Sequence, residues 1–176
     1  MKFVYSDGGR ANCGFKSPAG DCVARAVSIA SQIPYSVVYN DLAIINAKMS
    51  KTKRRKGAVG QFTASHGIYT TSKLFKDYMK KLGFVWTACM KPGTGCKVHL
   101  DENELPSGRL VVRVSRHLTA VIDGVIYDTH NPQREASFQI EPDKGQELKK
   151  GQWRNENGVV TLIGKRCVYG YWEIRG

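Results

Sequence analysis

The chain has no apolar run approaching the roughly 20 residues that a membrane-spanning helix needs. Its opening, MKFVYSDGGR, reaches Asp7 and two glycines before a stretch of signal-peptide length can form. A soluble protein that stays in the cytoplasm is therefore expected. Cysteine is sparse, with five residues at positions 13, 22, 89, 96 and 167. An odd count at irregular spacing, without an export signal, predicts reduced thiols rather than a disulfide framework. Metal and nucleotide signatures are also missing. Cys89, Cys96 and His99 leave six residues between the cysteines and lack a fourth ligand, a poor fit to a zinc knuckle. Gly93-Thr94-Gly95 lacks the further glycine and helix start of a phosphate loop and reads as a turn. No cofactor and no metal are expected. Acidic residues are few: 15 Asp and Glu against 27 Lys and Arg give a net charge of +12, enough to attract polyanions or an acidic partner.

What is present suits one globular domain spanning residues 1–176, since this length buries a core without needing a second one. Apolar residues recur at helical spacing from Cys22 (Val23, Ala26, Val27, Ala30) and again after Pro34 and Ser36 (Val37, Val38, Leu42, Ile45), predicting two amphipathic helices. A third is predicted with Thr70 or Thr71 as N-cap. It carries Leu74, Phe75, Tyr78, Met79 and Leu82 on one stripe and Lys80 and Lys81 in the last turn, with a stop at Gly83. From Phe84 onward the period changes to two. Turn pairs recur at Pro92-Gly93, Asp123-Gly124 and Asn157-Gly158. The expected strands are Phe84 to Cys89, Leu110 to Ile122, Val125 to Thr129, Ser137 to Ile140, Val159 to Ile163 and Cys167 to Ile174. Helices first and an antiparallel sheet second make the class α+β.

Two segments carry chemistry. In SPAGDCVARAV, residues 17 to 27, Pro18 and Gly20 prevent an earlier helix start, Asp21 is placed to cap, and Cys22 becomes the first helical residue. Unpaired N–H groups and the helix dipole favour thiolate there, below the free value of about 8.5. Asp21 opposes this by setting an anion beside the sulfur, so a cationic partner is needed. The segment SRHLTAVIDGVIYDTHNP, residues 115 to 132, supplies one. Asp123-Gly124 between alternating apolar runs predicts a two-residue hairpin in which Ile122 faces Val125, Val121 faces Ile126, Ala120 faces Tyr127 and Thr119 faces Asp128. Asp128 then lies diagonal to His117 at roughly 7 Å between Cα atoms, within reach of the ring. Asn131 would point the other way. In such a trio His117 takes the Cys22 proton, Asp128 fixes the tautomer, and the Cys22 backbone N–H donates to an oxyanion.

A helix-opening Cys followed late in the chain by His and Asp on a hairpin resembles the papain-like cysteine peptidase superfamily. The likeness is greatest to peptidases of the bacteriocin-processing type. The chain, with its ending RCVYGYW, is also similar to small papain-like proteins encoded by tailed phages, for which the compartment would be the host cytoplasm. The resemblance rests on residues 17 to 27 and 115 to 132. It implies a papain-like fold, Cys22 as nucleophile, His117 as general base, Asp128 as orienting acid, and a thiol protease or isopeptidase forming a thioester acyl-enzyme. Such families usually carry Gln ahead of the Cys as second oxyanion donor; here that position is Lys16, and Lys16, Asn12 or Ser17 would have to substitute.

Two other readings stand beside this hydrolase. The same trio serves an acyltransferase or amidase. Alternatively, the chain is a basic binding module for nucleic acid or an acidic host protein, such as a phage-encoded inhibitor. In that case the run KMSKTKRRKG, with Lys51, Lys53, Arg54, Arg55 and Lys56, would meet phosphates, though it lacks interleaved aromatics for stacking bases. As a hydrolase the partner is a protein or peptide substrate, acidic in keeping with the charge.

Overall fold

The computed structural model describes residues 1–16, 20–49, 63–133, 152–154, 160–162 and 165–174, with backbone alone for 66, 152–154 and 160–162. The expected strand over 137–140, the basic residues Lys51, Lys53, Arg54, Arg55 and Lys56, and Ser17 lie outside these.

Among the described residues, three helices and a six-stranded mixed sheet make an α+β architecture. The helices are α1 (Cys22–Ser31), α2 (Tyr35–Lys48) and α3 (Lys73–Lys81). The strands are β1 (Lys2–Tyr5), β2 (Phe84–Ala88), β3 (Arg109–Val114), β4 (His117–Ile122), β5 (Val125–Asp128), β6 (Gln152–Arg154), β7 (Val160–Leu162) and β8 (Val168–Ile174). The large sheet runs β1-β5-β4-β3-β8-β2, and β6 and β7 pair separately.

The Asp123-Gly124 hairpin takes the counted register, with Ile122 opposite Val125, Val121 opposite Ile126 and Ala120 opposite Tyr127. Asp123 and Gly124 both adopt positive φ (46° and 76°), the conformation a two-residue hairpin demands. Elsewhere the sheet departs from expectation. The run 110–122 is two strands rather than one, because the chain reverses at Ser115-Arg116 with Arg116 in the left-handed region at φ 57°. The sheet is not wholly antiparallel either: β1 pairs in parallel with β5, setting Tyr5 opposite Asp128.

Helix α3 starts one or two residues later than expected, because the Ser72 hydroxyl accepts from the Phe75 N–H and takes the cap from Thr70 and Thr71. Helix α1 is buried on nearly every side rather than amphipathic. Val23, Ala24, Ala26, Val27 and Ala30 lie between strands β3–β4 and helix α2, and even Arg25 and Ser28 are covered. Small residues let the helix axis approach the sheet closely. Alternation in β3 and β4 divides the core: Val111, Leu118 and Ala120 pack with the helices, while Leu110, Val112, Val114 and Val121 form a second cluster.

The cysteines differ from the all-thiol expectation. Cys96 and Cys167 form a disulfide, with Cα atoms 5.8 Å apart. Residues 98 and 99 lie along the start of β8, with Val168 N–H donating to Val98 O at 2.8 Å and His99 bridged to Cys167. This tertiary pairing brings the two sulfurs together; a count of cysteines cannot see it. Cys13, Cys22 and Cys89 are free. No helix among the described residues is long and apolar enough to cross a membrane.

Candidate active site

Cys22 sits where the loop meets α1. The preceding Gly20 donates its N–H to Ser65 O at 2.9 Å, and a Cβ at Gly20 would come within 3.0 Å of that oxygen, so the glycine permits the anchor. Asp21 occupies the N-cap position without a side-chain cap bond. Its carboxylate turns instead into the interior, fully buried. There it accepts from Arg10 Nε at 2.7 Å and Tyr35 Oη at 2.6 Å on one oxygen and from Arg25 Nη1 on the other. Asp21 therefore does not cap the helix, and two guanidinium groups offset the charge that would oppose the thiolate while a phenol donates to it. Burial and the bond to Asp21 hold the Tyr35 phenol protonated well above its ordinary range.

His117 opens β4 and Asp128 closes β5. His117 Nε2 is 2.7 Å from Asp128 Oδ2, and the two side chains are only 10% and 4% exposed, so water screens the pair little. The Thr129 N–H donates to the other carboxylate oxygen at 2.7 Å. With Nε2 engaged, Nδ1 is the ring nitrogen not bound to Asp128, and Cys22 shares a pocket with His117 and Leu118, near enough for the imidazole and the Leu118 N–H to act on its thiol. Asn131, by contrast, is exposed and accepts from Gln133.

The electrostatics follow from these contacts. Burial resists ionising Cys22, yet the hydrogen bond to His117, the Leu118 N–H and the charges of His117 and Arg25 outweigh it and lower the thiol pKa. Burial also resists charging His117, but the bonds and charges of Asp128 and Cys22 raise it from 6.5 to about 9. Burial of Asp128 is likewise outweighed, chiefly by His117, and its pKa is lowered. All three shifts favour a thiolate–imidazolium–carboxylate row at neutral pH.

No protein-family model, curated protein or solved structure matches this chain.

Arg25 links the two buried carboxylates. It binds Asp21 and places Nη2 4.0 Å from Asp128 Oδ1. The sequence marks Arg25 only by its four-residue spacing from Asp21 and carries no signal for Arg10 or Tyr35. His130 stands beside the trio, its ring centroid 4.8 Å from that of His117 and Nδ1 4.0 Å from Asp128 Oδ1. His117, Asp128 and His130 are the one metal-capable group of three among the described residues. An ion there would have to break the His117–Asp128 bond. The set Cys89, Cys96 and His99 does not assemble, because Cys96 is oxidised and His99 is bonded to Glu104.

A pocket of about 310 Å³ opens on Cys22 and His117, lined also by Gly20, Gly67, Arg113 and Tyr169. Asn12 and Lys16 are exposed, and neither lines it.

Proposed function

We propose that this protein is a cysteine hydrolase of papain-like fold that cleaves a peptide or isopeptide bond through Cys22, His117 and Asp128. One observation carries the reading: an imidazole bonded to a buried carboxylate shares a pocket with the helix-opening thiol, whose pKa it lowers. The chain order Cys, His, Asp, and a buried helix packed on the strands that bear His and Asp, support the fold assignment.

In the proposed reaction the Cys22 thiolate attacks the acyl carbon. An S–C bond forms as the carbonyl π electrons move to oxygen. The unpaired N–H groups at the start of α1, that of Cys22 first, face the developing charge. Collapse breaks the C–N bond, and the amine leaves with the proton from His117. Water then attacks the thioester and gives a proton to His117. The C–S bond breaks, releasing the acid and restoring the pair. Asp128 holds the ring and stabilises its charge throughout.

The reading is tested by alkylating the native protein with iodoacetamide near pH 6 and mapping the modified residues. Cys22 should react well ahead of Cys13 and Cys89, and His117→Ala should abolish the preference. Three equally slow thiols would falsify the assignment.

A further inference from the structure

The pocket at Cys22 continues into a smaller one of about 90 Å³, and the two share Thr70, Arg113 and Leu118. Beyond the shared residues the second pocket is walled by the indoles of Trp86 and Trp172 and by Lys76. Gly170 makes this wall possible: a Cβ there would meet the Trp86 ring at 2.3 Å. The two pockets adjoin at Arg113, with the nucleophile in the larger one, and are together termed the groove.

The groove is cationic. Its described lining includes Arg113, Arg116 and Lys76 and no acidic residue. None of the three forms an ion pair with a described carboxylate. Arg113 is half-buried, and its guanidinium lies 5.9 Å from the Tyr169 ring centroid, which orients it without neutralising it. Arg10, Arg25 and Arg166, by contrast, are each committed to a carboxylate or to carbonyl oxygens. Arg116 adds a second peculiarity. It holds φ at 57°, where a non-glycine residue is disfavoured, yet it carries a long cation at the mouth of the pocket.

We propose that this groove binds an acidic peptide segment, holding an Asp or Glu side chain on Arg113 and Arg116 beside the acyl group that Cys22 attacks. The inference rests on the hydrolase reading and specifies its substrate. A guanidinium fork matches a carboxylate in two parallel hydrogen bonds, and low solvent access strengthens them. Arg113 lines a pocket on each side, so a chain that continues on either side of the bound group has space to enter; this fits a side chain in mid-segment. A thiolate that attacks carbonyl carbon requires an acyl compound at the same place, which a nucleic-acid backbone does not offer.

The test uses two alkylating agents of similar size, iodoacetate and iodoacetamide, which differ in charge. Both react as sulfur displaces iodide, so the ratio of their Cys22 rates reads anion binding, and division by the iodoacetamide rate removes any change in the thiolate itself. The ratio should exceed that of free cysteine. Arg113→Gln should cut it about tenfold, the effect of one lost charge-assisted hydrogen-bonded pair. Lys2→Gln, at the far hairpin end of the sheet, removes the same charge and should leave it unchanged. Arg116→Asn, at an exposed turn, gives a second reading should Arg113→Gln lose its unfolding transition. A capped peptide acetyl-Ala-Glu-Ala-amide should protect Cys22 from iodoacetamide better than its Gln counterpart, and this advantage should vanish in Arg113→Gln. If Cys22 reacts with iodoacetamide no faster than free cysteine, the hydrolase reading itself fails. Fast iodoacetamide reaction, with a ratio that neither arginine variant moves or equal protection by the two peptides, overturns the acidic subsite alone.

Discussion

Replacing Asp128 by Asn keeps the shape of the side chain and removes its charge, which isolates the carboxylate's electrostatic share of the site. The rise of His117 from 6.5 to about 9 amounts to about 3 kcal/mol in favour of the imidazolium. Asp128 and Cys22 share this. An opposite charge within hydrogen-bond distance is worth about one to three pH units, so in Asp128→Asn the His117 midpoint should fall to roughly 7. Folding stability follows. A raised histidine stabilises the native state fully below its unfolded value near 6.5, and the contribution is lost as pH climbs through the folded value. In the wild type that loss ends near pH 9; in Asp128→Asn it ends about two units earlier. The variant should therefore be destabilised by about 2 to 3 kcal/mol at pH 6 and by much less at pH 9.5. Any misfit of the new amide against the Thr129 N–H does not vary with pH and cancels from that difference. Urea unfolding at the two pH values, beside an NMR titration of the His117 ring, measures both quantities. Equal destabilisation at both, or an unmoved His117 midpoint, would refute the coupling.

Arg25→Met removes a nearly covered cation from between two carboxylates and should cost about 3 kcal/mol, seen in urea unfolding, with slower Cys22 alkylation at neutral pH. Gly170→Ala forces a methyl into the Trp86 ring and the Thr87 carbonyl and should cost about 1 to 3 kcal/mol, visible as a lowered Tm. Cys96→Ala opens a loop closed across 71 residues and should lose about 4 kcal/mol by chain entropy; unchanged stability would show that the disulfide constrains nothing.

The parts of the fold that were legible are those governed by neighbours in sequence. Pro18 and Gly20 mark where α1 can begin, and Asp123-Gly124 fixes one hairpin so firmly that the pairing of Ala120, Val121 and Ile122 follows by counting. The parts missed depend on distant partners. Strand β1 is four residues long and finds its parallel partner more than a hundred residues later, which no local period announces. The reversal at Ser115-Arg116 contains neither glycine nor asparagine, so its left-handed residue was invisible. Within the candidate site, His117 and Asp128 share a hairpin and could be related by parity. The surroundings of Asp21 could not, because Arg10 and Tyr35 reach it from outside α1.

The straddling position of Arg25 bears on how finely the site is set. Hydrocarbon surfaces tolerate sliding, since one methyl contact replaces another at small cost. A guanidinium bonded to the carboxylate at the head of its own helix and 4.0 Å from one on the sheet is less indifferent to position. Any glide of α1 along its axis would lengthen the 4.0 Å approach to the sheet anion, so a charged contact joins the apolar packing in setting the spacing of sulfur and imidazole.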